Sequence, residues 1–121
     1  MSKRILIADD EEQWRLSVSA VVKKLGHHCT TTTNRREAEK KLESDTFDLV
    51  ITDNNMGWRD AGIGLLAHLR LMGNNVPVII HSGDLTYMSQ EECKKLSGVY
   101  VTKSYGPANK LIEIIRELVG E

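Results

Sequence analysis

Short apolar runs alternate along the chain with segments in which apolar residues recur at helical spacing. Five of the runs predict strands, because apolar and β-branched residues follow one another there with little interruption. They lie at residues 4–8, 28–32, 47–52, 76–80 and 99–102. Each run is followed by residues with the 3.6-residue period of an amphipathic helix. The sequence therefore predicts five successive strand–helix units.

Capping residues locate several of the predicted helix ends. Asn34, with Glu37 three residues later, predicts the start of the second helix. Ser89 and Glu92 have the same spacing, which predicts that a short fourth helix begins near Ser89. Pro107 suits the first turn of the fifth helix.

The character of the strands indicates the fold class. Strands that are continuously apolar are buried on both faces, as in a parallel sheet covered by helices on either side. Right-handed crossovers then give a doubly wound, three-layer α/β/α sandwich. With the flavodoxin-like strand order 2-1-3-4-5, the predicted fold is α/β with a five-stranded parallel sheet. A chain of 121 residues has room for one such domain, residues 1–121, but not for two.

Polar residues directly follow four of the five predicted strands. They are Asp9, Asp10, Asp53, Ser82 and Lys103. Because the carboxyl ends of parallel strands meet at one edge of the sheet, where ligands bind, these side chains are expected to converge. A single aspartate after a strand is usually a turn former or a helix cap. Coincidence is a poor explanation for such residues at four strand ends.

The predicted cluster has a recognisable chemistry. Carboxylates a few ångströms apart repel one another by on the order of 4 kcal/mol per pair, so the crevice requires a cation. Oxygen ligands with open coordination positions favour Mg²⁺ or Mn²⁺. The set suits phosphoryl transfer, with Asp53 as the nucleophile and with Lys103 and Ser82 binding phosphoryl oxygens.

Composition narrows the choice of partners and compartment. Hydrophobic residues make up 40% of the chain and charged residues 27%, and the net charge is −1. This balance is typical of a soluble domain, and it offers no basic face for nucleic acid. The sequence shows no signal peptide and no apolar run long enough to enter a membrane. Cys29 and Cys93 fit neither a zinc site nor a disulfide framework, so we expect a cytoplasmic protein with reduced thiols.

Over essentially its whole length the sequence resembles the response-regulator receiver family of two-component systems. The motifs that carry the resemblance are residues 5–11 (ILIADDE), 47–53 (FDLVITD), 77–83 (PVIIHSG) and 100–103 (YVTK). The resemblance implies a signalling switch that accepts a phosphoryl group on Asp53 from a sensor histidine kinase or a histidine phosphotransfer protein. It also implies a downstream protein target, and no enzyme activity beyond the domain's own phosphorylation and dephosphorylation.

The resemblance further implies a set of metal ligands. Asp10 and Asp53 would bind Mg²⁺ directly, and Asp9 would act mainly through water. The backbone carbonyl of Asn55 would complete the protein ligands.

Switch and lifetime residues are implied in the same way. Ser82 and Tyr100 correspond to the pair that changes position in the family on phosphorylation, which alters the face made by helix four, strand five and helix five. Asn55 and Asp84 occupy positions that set the lifetime of the phosphoryl group. Polar residues at both positions predict a short lifetime.

The chain departs from the family pattern in two loops. Met56 is followed by Gly57 where the family usually has proline, and the loop 53–62 is about one residue longer than usual. Lys103 is followed by Ser104 in place of a proline with a cis peptide bond. A cis bond before a non-proline residue costs about 3 kcal/mol, so this peptide is expected to be either strained or trans in a rearranged loop.

Three other functions fit parts of this sequence pattern. A pseudo-receiver, a binding module with the same fold and no phosphotransfer, is the main alternative because of the altered Lys103–Ser104 corner. A phosphatase with an aspartate nucleophile is disfavoured, since Asn55 cannot transfer the proton that this chemistry requires. An FMN carrier is also disfavoured, because the loop after the first strand is acidic where a phosphate needs free amides.

A few residues outside the motifs also carry expectations. Trp14 is predicted to pack on the apolar face of the first helix, and Trp58 to lie near the metal. The four histidines are expected to be ordinary surface or strand-end residues. Whether the domain stands alone or belongs to a longer chain remains open at this point.

Overall fold

The computed structural model describes residues 2–83, 85–104 and 109–120. The predictions for Asp84 and Pro107 therefore lie outside the described residues. Strands and helices alternate in the order β1 (Arg4–Ala8), α1 (Glu12–Lys24), β2 (His28–Thr32), α2 (Arg35–Ser44), β3 (Leu49–Thr52), α3 (Ala61–Leu71), β4 (Val78–Ser82), α4 (Tyr87–Lys95), β5 (Val99–Thr102) and α5 (Asn109–Val119).

All five strands form one parallel sheet in the order β2-β1-β3-β4-β5. This confirms the predicted fold class and strand order. Ala8, the last residue of β1, pairs with Thr32 on one side and with Thr52 on the other. Ser82, the last residue of β4, pairs with Thr102. Neighbouring strands therefore end nearly level, and the residues that follow them share one edge.

The sheet separates two buried layers, as alternation along β1 illustrates. Ile5 and Ile7 contact Val18 of α1 and Ile115 of α5 on one side. Leu6 and Ala8 point to the other side, where the layer is completed by residues of α2, α3 and α4. Because both faces are covered, the inner strands have no solvent-exposed face, which explains their unbroken apolar sequences. No helix in the described ranges combines the length and hydrophobicity needed to cross a bilayer.

Two strand boundaries differ from the sequence prediction. β3 begins at Leu49 rather than at residue 47, because the Asp48 carboxylate accepts a hydrogen bond from the Arg4 backbone N–H at 2.9 Å. β4 covers Val78–Ser82 rather than residues 76–80. Pro77 has no N–H to donate to a neighbouring strand, so the regular strand starts after it.

The helix caps are partly as predicted. The Asn34 side chain accepts a hydrogen bond from the Glu37 N–H at 2.9 Å, which confirms the start of α2. The predicted start of α4 at Ser89 is wrong. Thr86 caps this helix and accepts from the Ser89 N–H at 3.1 Å. Ser89 lies within the first turn, and its hydroxyl is directed to a different partner, Asp60.

Candidate functional site

The residues after β1 and β3 meet at the carboxyl edge of the sheet. The Asp53 N–H donates to the Ala8 carbonyl at 2.8 Å, which continues the ladder between the two strands by one residue. Asp9, Asp10, Glu11 and Asp53 each offer a carboxylate oxygen, and these oxygens lie within 4.8 Å of one another. Asp9 and Asp53 are buried, whereas the other two acids are exposed. The topology thus gathers four carboxylates, one more than the sequence analysis included.

Lys103 supplies the positive charge at the centre of this cluster. Its backbone N–H donates to the Ser82 carbonyl at 2.9 Å, which fixes the strand end beside the acids. The Lys103 ammonium lies 3.0 Å from an Asp9 oxygen and 3.3 Å from an Asp53 oxygen. The described residues contain no cis peptide bond, so the Lys103–Ser104 peptide is trans. The altered corner therefore still allows the lysine to reach the acids.

Burial and charge shift the pKa values of this pair. Burial, followed by repulsion from Asp9, raises the pKa of Asp53 to about 6, although Lys103 and the Asn54 N–H act against the rise. Burial alone would lower the pKa of Lys103, but its hydrogen bond to Asp9 and its attraction to Asp53 raise it. At neutral pH the lysine is charged, and Asp53 is mostly ionised. The nucleophilic form of the carboxylate is therefore available.

An open cavity of about 350 Å³ gives access to this pair. Its lining includes Glu11, Trp14, Asp53, Asn55, Ser82 and Lys103. Ser82 is buried and reaches the cavity from the end of β4. The cavity can accept a small anionic group, since a cation and a hydroxyl flank the Asp53 carboxylate. This combination of a carboxylate nucleophile and donors for surrounding oxygens is suited to phosphoryl transfer.

Trp14 forms part of the cavity wall. The Lys103 ammonium lies 5.2 Å from the centre of the indole ring. His81 meets the same ring edge-on, with ring centres 5.5 Å apart and planes at 86°. His81 is buried, not at the surface, and its burial and the nearby Lys103 charge lower its pKa to about 4. The predicted packing role of Trp14 holds, since only 7% of the residue is exposed, but the ring also contacts the site.

The loop after β3 is held close to Asp53. The Asn54 N–H donates to an Asp53 carboxylate oxygen at 2.8 Å, and the Asn54 side-chain amide donates to Asp60 at 2.7 Å. The Asn55 side-chain oxygen accepts from the Asp60 N–H at 3.1 Å. Gly62, in the first turn of α3, lies against the Asp53 backbone, where a methyl group would collide with the Asp53 carbonyl oxygen. Small size at position 62 therefore allows this close approach.

Asp60 connects this loop to α4. The carboxylate oxygen that accepts from Asn54 also accepts from the Ser89 hydroxyl at 3.0 Å. Asp60 itself has a φ of 59°, in the left-handed region that aspartate and asparagine tolerate better than most residues. The Asp60 carboxylate thus joins the segment beside Asp53 to the first turn of α4.

We expect Asp60→Ala to destabilise the protein by about 2 kcal/mol, since it leaves the Asn54 amide and the Ser89 hydroxyl without their shared acceptor and places alanine at positive φ. Asp60→Asn keeps an oxygen acceptor and a residue that tolerates this φ, so its loss should be less than half as large. Urea denaturation of the two variants measures the difference. Equal losses would show that the shared acceptor contributes little.

The predicted switch residues lie on neighbouring strands, Ser82 at the end of β4 and Tyr100 as the second residue of β5. Ser82 is buried at the cavity, and Tyr100 of β5 is partly buried against the layer that contains α3 and α4. The Tyr100 hydroxyl accepts a hydrogen bond from the Thr102 hydroxyl at 3.2 Å. Trp58 is 57% exposed and lines a second cavity, together with Asp10. Its predicted role as a reporter of the metal remains a prediction.

Several residues at the site are not predicted as site residues from the sequence. Glu11 follows the paired aspartates directly, and its carboxylate lies 3.8 Å from the Lys103 ammonium. Trp14 lies one helical turn after Asp10, a spacing that could have placed it above the same strand end. Asp60 carries no comparable signal, because its contacts depend on the path of an irregular loop.

Comparison with known proteins agrees with this fold and identifies the family. Residues 5–116 match the family described as response regulator receiver domain. The chain is 33% identical over 115 residues to the two-component response regulator ARR11 of Arabidopsis thaliana, covering 93% of this chain and 20% of that protein. It is 26% identical over 121 residues to the sensory/regulatory protein RpfC of Xanthomonas campestris, covering 97% of this chain and 16% of that protein. The chain thus spans a fifth or less of the length of these two relatives.

Solved structures give the same result. The response regulator TrrA of Thermotoga maritima, crystallised in complex with Mg²⁺-BeF, is 30% identical with a TM-score of 0.84, and the match covers 96% of this chain and 98% of that one. The receiver domain of the Francisella response regulator 1452 is 26% identical with a TM-score of 0.87, and 98% of each chain is covered. The chain therefore belongs to the response regulator receiver domain family, the receiver class of two-component signalling proteins.

Proposed function

We propose that this domain is a phosphorylation-dependent switch whose phosphoryl acceptor is Asp53. The observation that carries the proposal is the placement of the Asp53 carboxylate in an open cavity, 3.3 Å from the Lys103 ammonium and beside three further acids. The phosphoryl donor is a phosphohistidine of a sensor kinase or of a histidine phosphotransfer protein. The output is a change in the face formed by α4, β5 and α5, to which a downstream protein binds.

The acidic cluster fits Mg²⁺, the ion we propose for this site. Four carboxylates offer oxygen ligands within 4.8 Å of one another, and hard divalent ions prefer such ligands. Asp10 and Asp53 would bind the ion directly, Asp9 through water, and Asn55 through its backbone carbonyl. When bound, the ion neutralises the carboxylates and the phosphoryl oxygens. Mn²⁺ satisfies the same ligands, so a comparison of the two ions is part of the test.

The chain's own residues account for the transfer step. A carboxylate oxygen of Asp53 attacks phosphorus, the P–N bond to the donor imidazole breaks, and the imidazole leaves with the bonding electron pair. The product is an acyl phosphate on Asp53. Lys103 binds one phosphoryl oxygen through its ammonium, and Ser82 donates its hydroxyl to another. Little further machinery is needed, because positioning and charge neutralisation carry most of this chemistry.

Signal output follows from the new charge. A phosphoryl group draws the Ser82 hydroxyl toward it, and Tyr100, which lies partly buried on the neighbouring strand, takes the space that the hydroxyl leaves. Asn55 lines the cavity, where a polar side chain can position the water that removes the phosphoryl group. We propose a short phosphoryl lifetime on this basis. The second proposed lifetime residue, Asp84, lies outside the described residues.

Intact mass measurement tests the acceptor. With phosphoramidate and Mg²⁺ we expect the wild-type chain to gain one phosphoryl group, about 80 Da, and Asp53→Asn to gain none, because an amide is not a competent nucleophile. Replacing Mg²⁺ by Mn²⁺ should support the gain, and EDTA should prevent it. Asp48→Asn is the matched control, since it makes the same change at an exposed acid at the opposite end of β3.

The same experiment separates the switch from a pseudo-receiver. A wild-type chain that gains no mass with phosphoramidate, with acetyl phosphate or with a phosphorylated histidine phosphotransfer protein would indicate a binding module without phosphotransfer. Equal gain by wild type and Asp53→Asn would assign the phosphoryl group to another residue.

A further inference from the structure

The indole of Trp14 lies against the ammonium that we assign to phosphoryl binding. The Lys103 ammonium is 5.2 Å from the ring centre, within the distance at which an aromatic face attracts a cation. The Lys103 side chain is 8% exposed, so water screens this attraction only weakly. Trp14 also lines the cavity that leads to Asp53. The ring is therefore in contact with the reacting region and is not only part of the core.

The other partners of the Lys103 ammonium are carboxylates. It lies 3.0 Å from Asp9, 3.3 Å from Asp53 and 3.8 Å from Glu11, whose exposed side chain is screened by water. Asp9 and Asp53 belong to the proposed metal site, and the negative charge of the Asp53 carboxylate is replaced by charge on the phosphoryl oxygens when Asp53 carries a phosphoryl group. Each event weakens the hold of a carboxylate on the lysine. The attraction of the indole face does not depend on either carboxylate, so it persists through metal binding and phosphoryl transfer.

The orientation of the indole ring is itself constrained. The buried imidazole of His81 packs edge-on against the ring, with the planes at 86°. Trp14 also lies on the buried face of α1, with Val18 and Val22. We expect the His81 contact to limit rotation of the ring beside the lysine.

We infer that Trp14 is a positioning residue for phosphoryl transfer, whose indole face holds the Lys103 ammonium at the cavity when the carboxylates are engaged elsewhere. This inference rests on the proposed function. Trp14 makes no bond to the phosphoryl group, and it acts through the lysine. The loop after Lys103 explains why the lysine needs this contact. Ser104 follows it in a trans peptide, so no rigid proline constrains the backbone there.

Substitution of the ring tests the inference through the rate of phosphoryl uptake from phosphoramidate at saturating Mg²⁺. We expect Trp14→Leu to lower the rate about tenfold, within the range expected of a cation–π contact shielded from water. Trp14→Phe keeps an aromatic face and should remain within about threefold of wild type. Mg²⁺ affinity should not fall in either variant, because the indole offers no oxygen ligand. A general distortion of the site would lower both quantities.

Val18→Ala is the matched control for packing. It removes buried volume from the same face of α1 without touching the cavity, so it should lower stability and leave the uptake rate unchanged. A slow rate in Val18→Ala comparable to that in Trp14→Leu would overturn the inference by showing that loosening of α1 is sufficient.

Nuclear magnetic resonance gives a second measurement that does not depend on turnover. In the wild-type protein, the side-chain CH₂ resonances next to the Lys103 ammonium should be shifted upfield by the indole ring current, both before and after addition of Mg²⁺ and beryllofluoride. Loss of the shift on adding these ligands would overturn the inference, as would equal uptake rates in wild type and Trp14→Leu. A wild-type chain that accepts no phosphoryl group would overturn the proposed function as well, so the two failures are distinguishable.

Discussion

Replacing Asp53 by asparagine is expected to stabilise the metal-free protein at pH 7 by about 2 kcal/mol while it removes the proposed phosphoryl acceptor. Burial and the neighbouring Asp9 raise the pKa of Asp53 from 3.8 to about 6, so ionisation of this carboxylate is unfavourable in the folded chain. A rise of this size corresponds to about 3 kcal/mol at pH 7. Asparagine avoids this charge, but its polar amide is buried in place of the carboxyl group, which leaves the smaller expected gain.

The pH dependence of the free energy of unfolding shows why Asp53→Asn should be the more stable protein at neutral pH. Because the folded chain holds the Asp53 proton more tightly than the unfolded chain, it binds more protons between about pH 4 and pH 6. The contribution of this group to stability is therefore fully present below the unfolded pKa and is lost as the pH rises through about 6. Asp53→Asn has no carboxyl group at this position, so it does not lose stability in this way as the pH rises. Its advantage over wild type should be largest at neutral pH and should disappear near pH 4.

Urea denaturation of both proteins at pH 4 and at pH 7, in EDTA, measures the difference. Addition of Mg²⁺ should then stabilise the wild type more than Asp53→Asn, because the ion binds the ionised carboxylate only in the folded chain. Glu43→Gln serves as the control here, since it removes the charge of an exposed acid on α2, and it should show neither effect. A variant less stable than wild type at pH 7 would contradict the expectation and would mean that the ion pair with Lys103 outweighs the burial of the Asp53 charge.

The strands and their parallel pairing could be predicted because they depend on features that are local in the sequence, whereas the order 2-1-3-4-5 follows only from the flavodoxin-like pattern. An apolar run such as residues 47–52 marks a buried strand without reference to any partner, and alternation with helical periods requires parallel strands. Boundaries were less accurate. The start of α4 was placed at Ser89 because its spacing to Glu92 matches a capping box, but Thr86, three residues earlier, provides the cap. Thr86 and Ser89 are both hydroxyl residues that can cap a helix, so the sequence pattern alone does not distinguish between them.

Convergence of Asp9, Asp53 and Lys103 was predictable for a related reason. Each follows a strand, and parallel topology brings strand ends together whatever their separation in sequence. Residues that reach the site from a helix face or an irregular loop were not predicted. For Trp14 the sequence predicts only packing, because helical periodicity indicates that a side chain is buried but does not identify the residues that it contacts. Asp60 depends on the path of its loop, which propensities do not determine.

Replacing Lys103 by methionine is expected to change phosphoryl uptake and Mg²⁺ binding in opposite directions. Loss of a preorganised donor to a transferring phosphoryl group typically lowers the rate by about 100-fold or more, and we expect a loss of this size. Mg²⁺ affinity should rise by about tenfold or more, because the ammonium competes with the ion for Asp9 and Asp53 and repels it in a weakly screened cavity. Methionine keeps a flexible, apolar side chain of similar length, so packing against Trp14 is largely retained.

Uptake of phosphoryl from phosphoramidate and calorimetric titration with Mg²⁺ measure the two quantities on the same samples. Lys24→Met is the matched control, since it removes the same charge from an exposed position at the end of α1 and should alter neither quantity. The opposed changes follow from geometry. In the metal-free chain the ammonium occupies the position between the carboxylates, and during transfer the same ammonium is needed by the phosphoryl oxygens. A parallel loss of rate and of Mg²⁺ affinity would instead mean that Lys103 supports the fold of the site, and the proposed role in transfer would then be wrong.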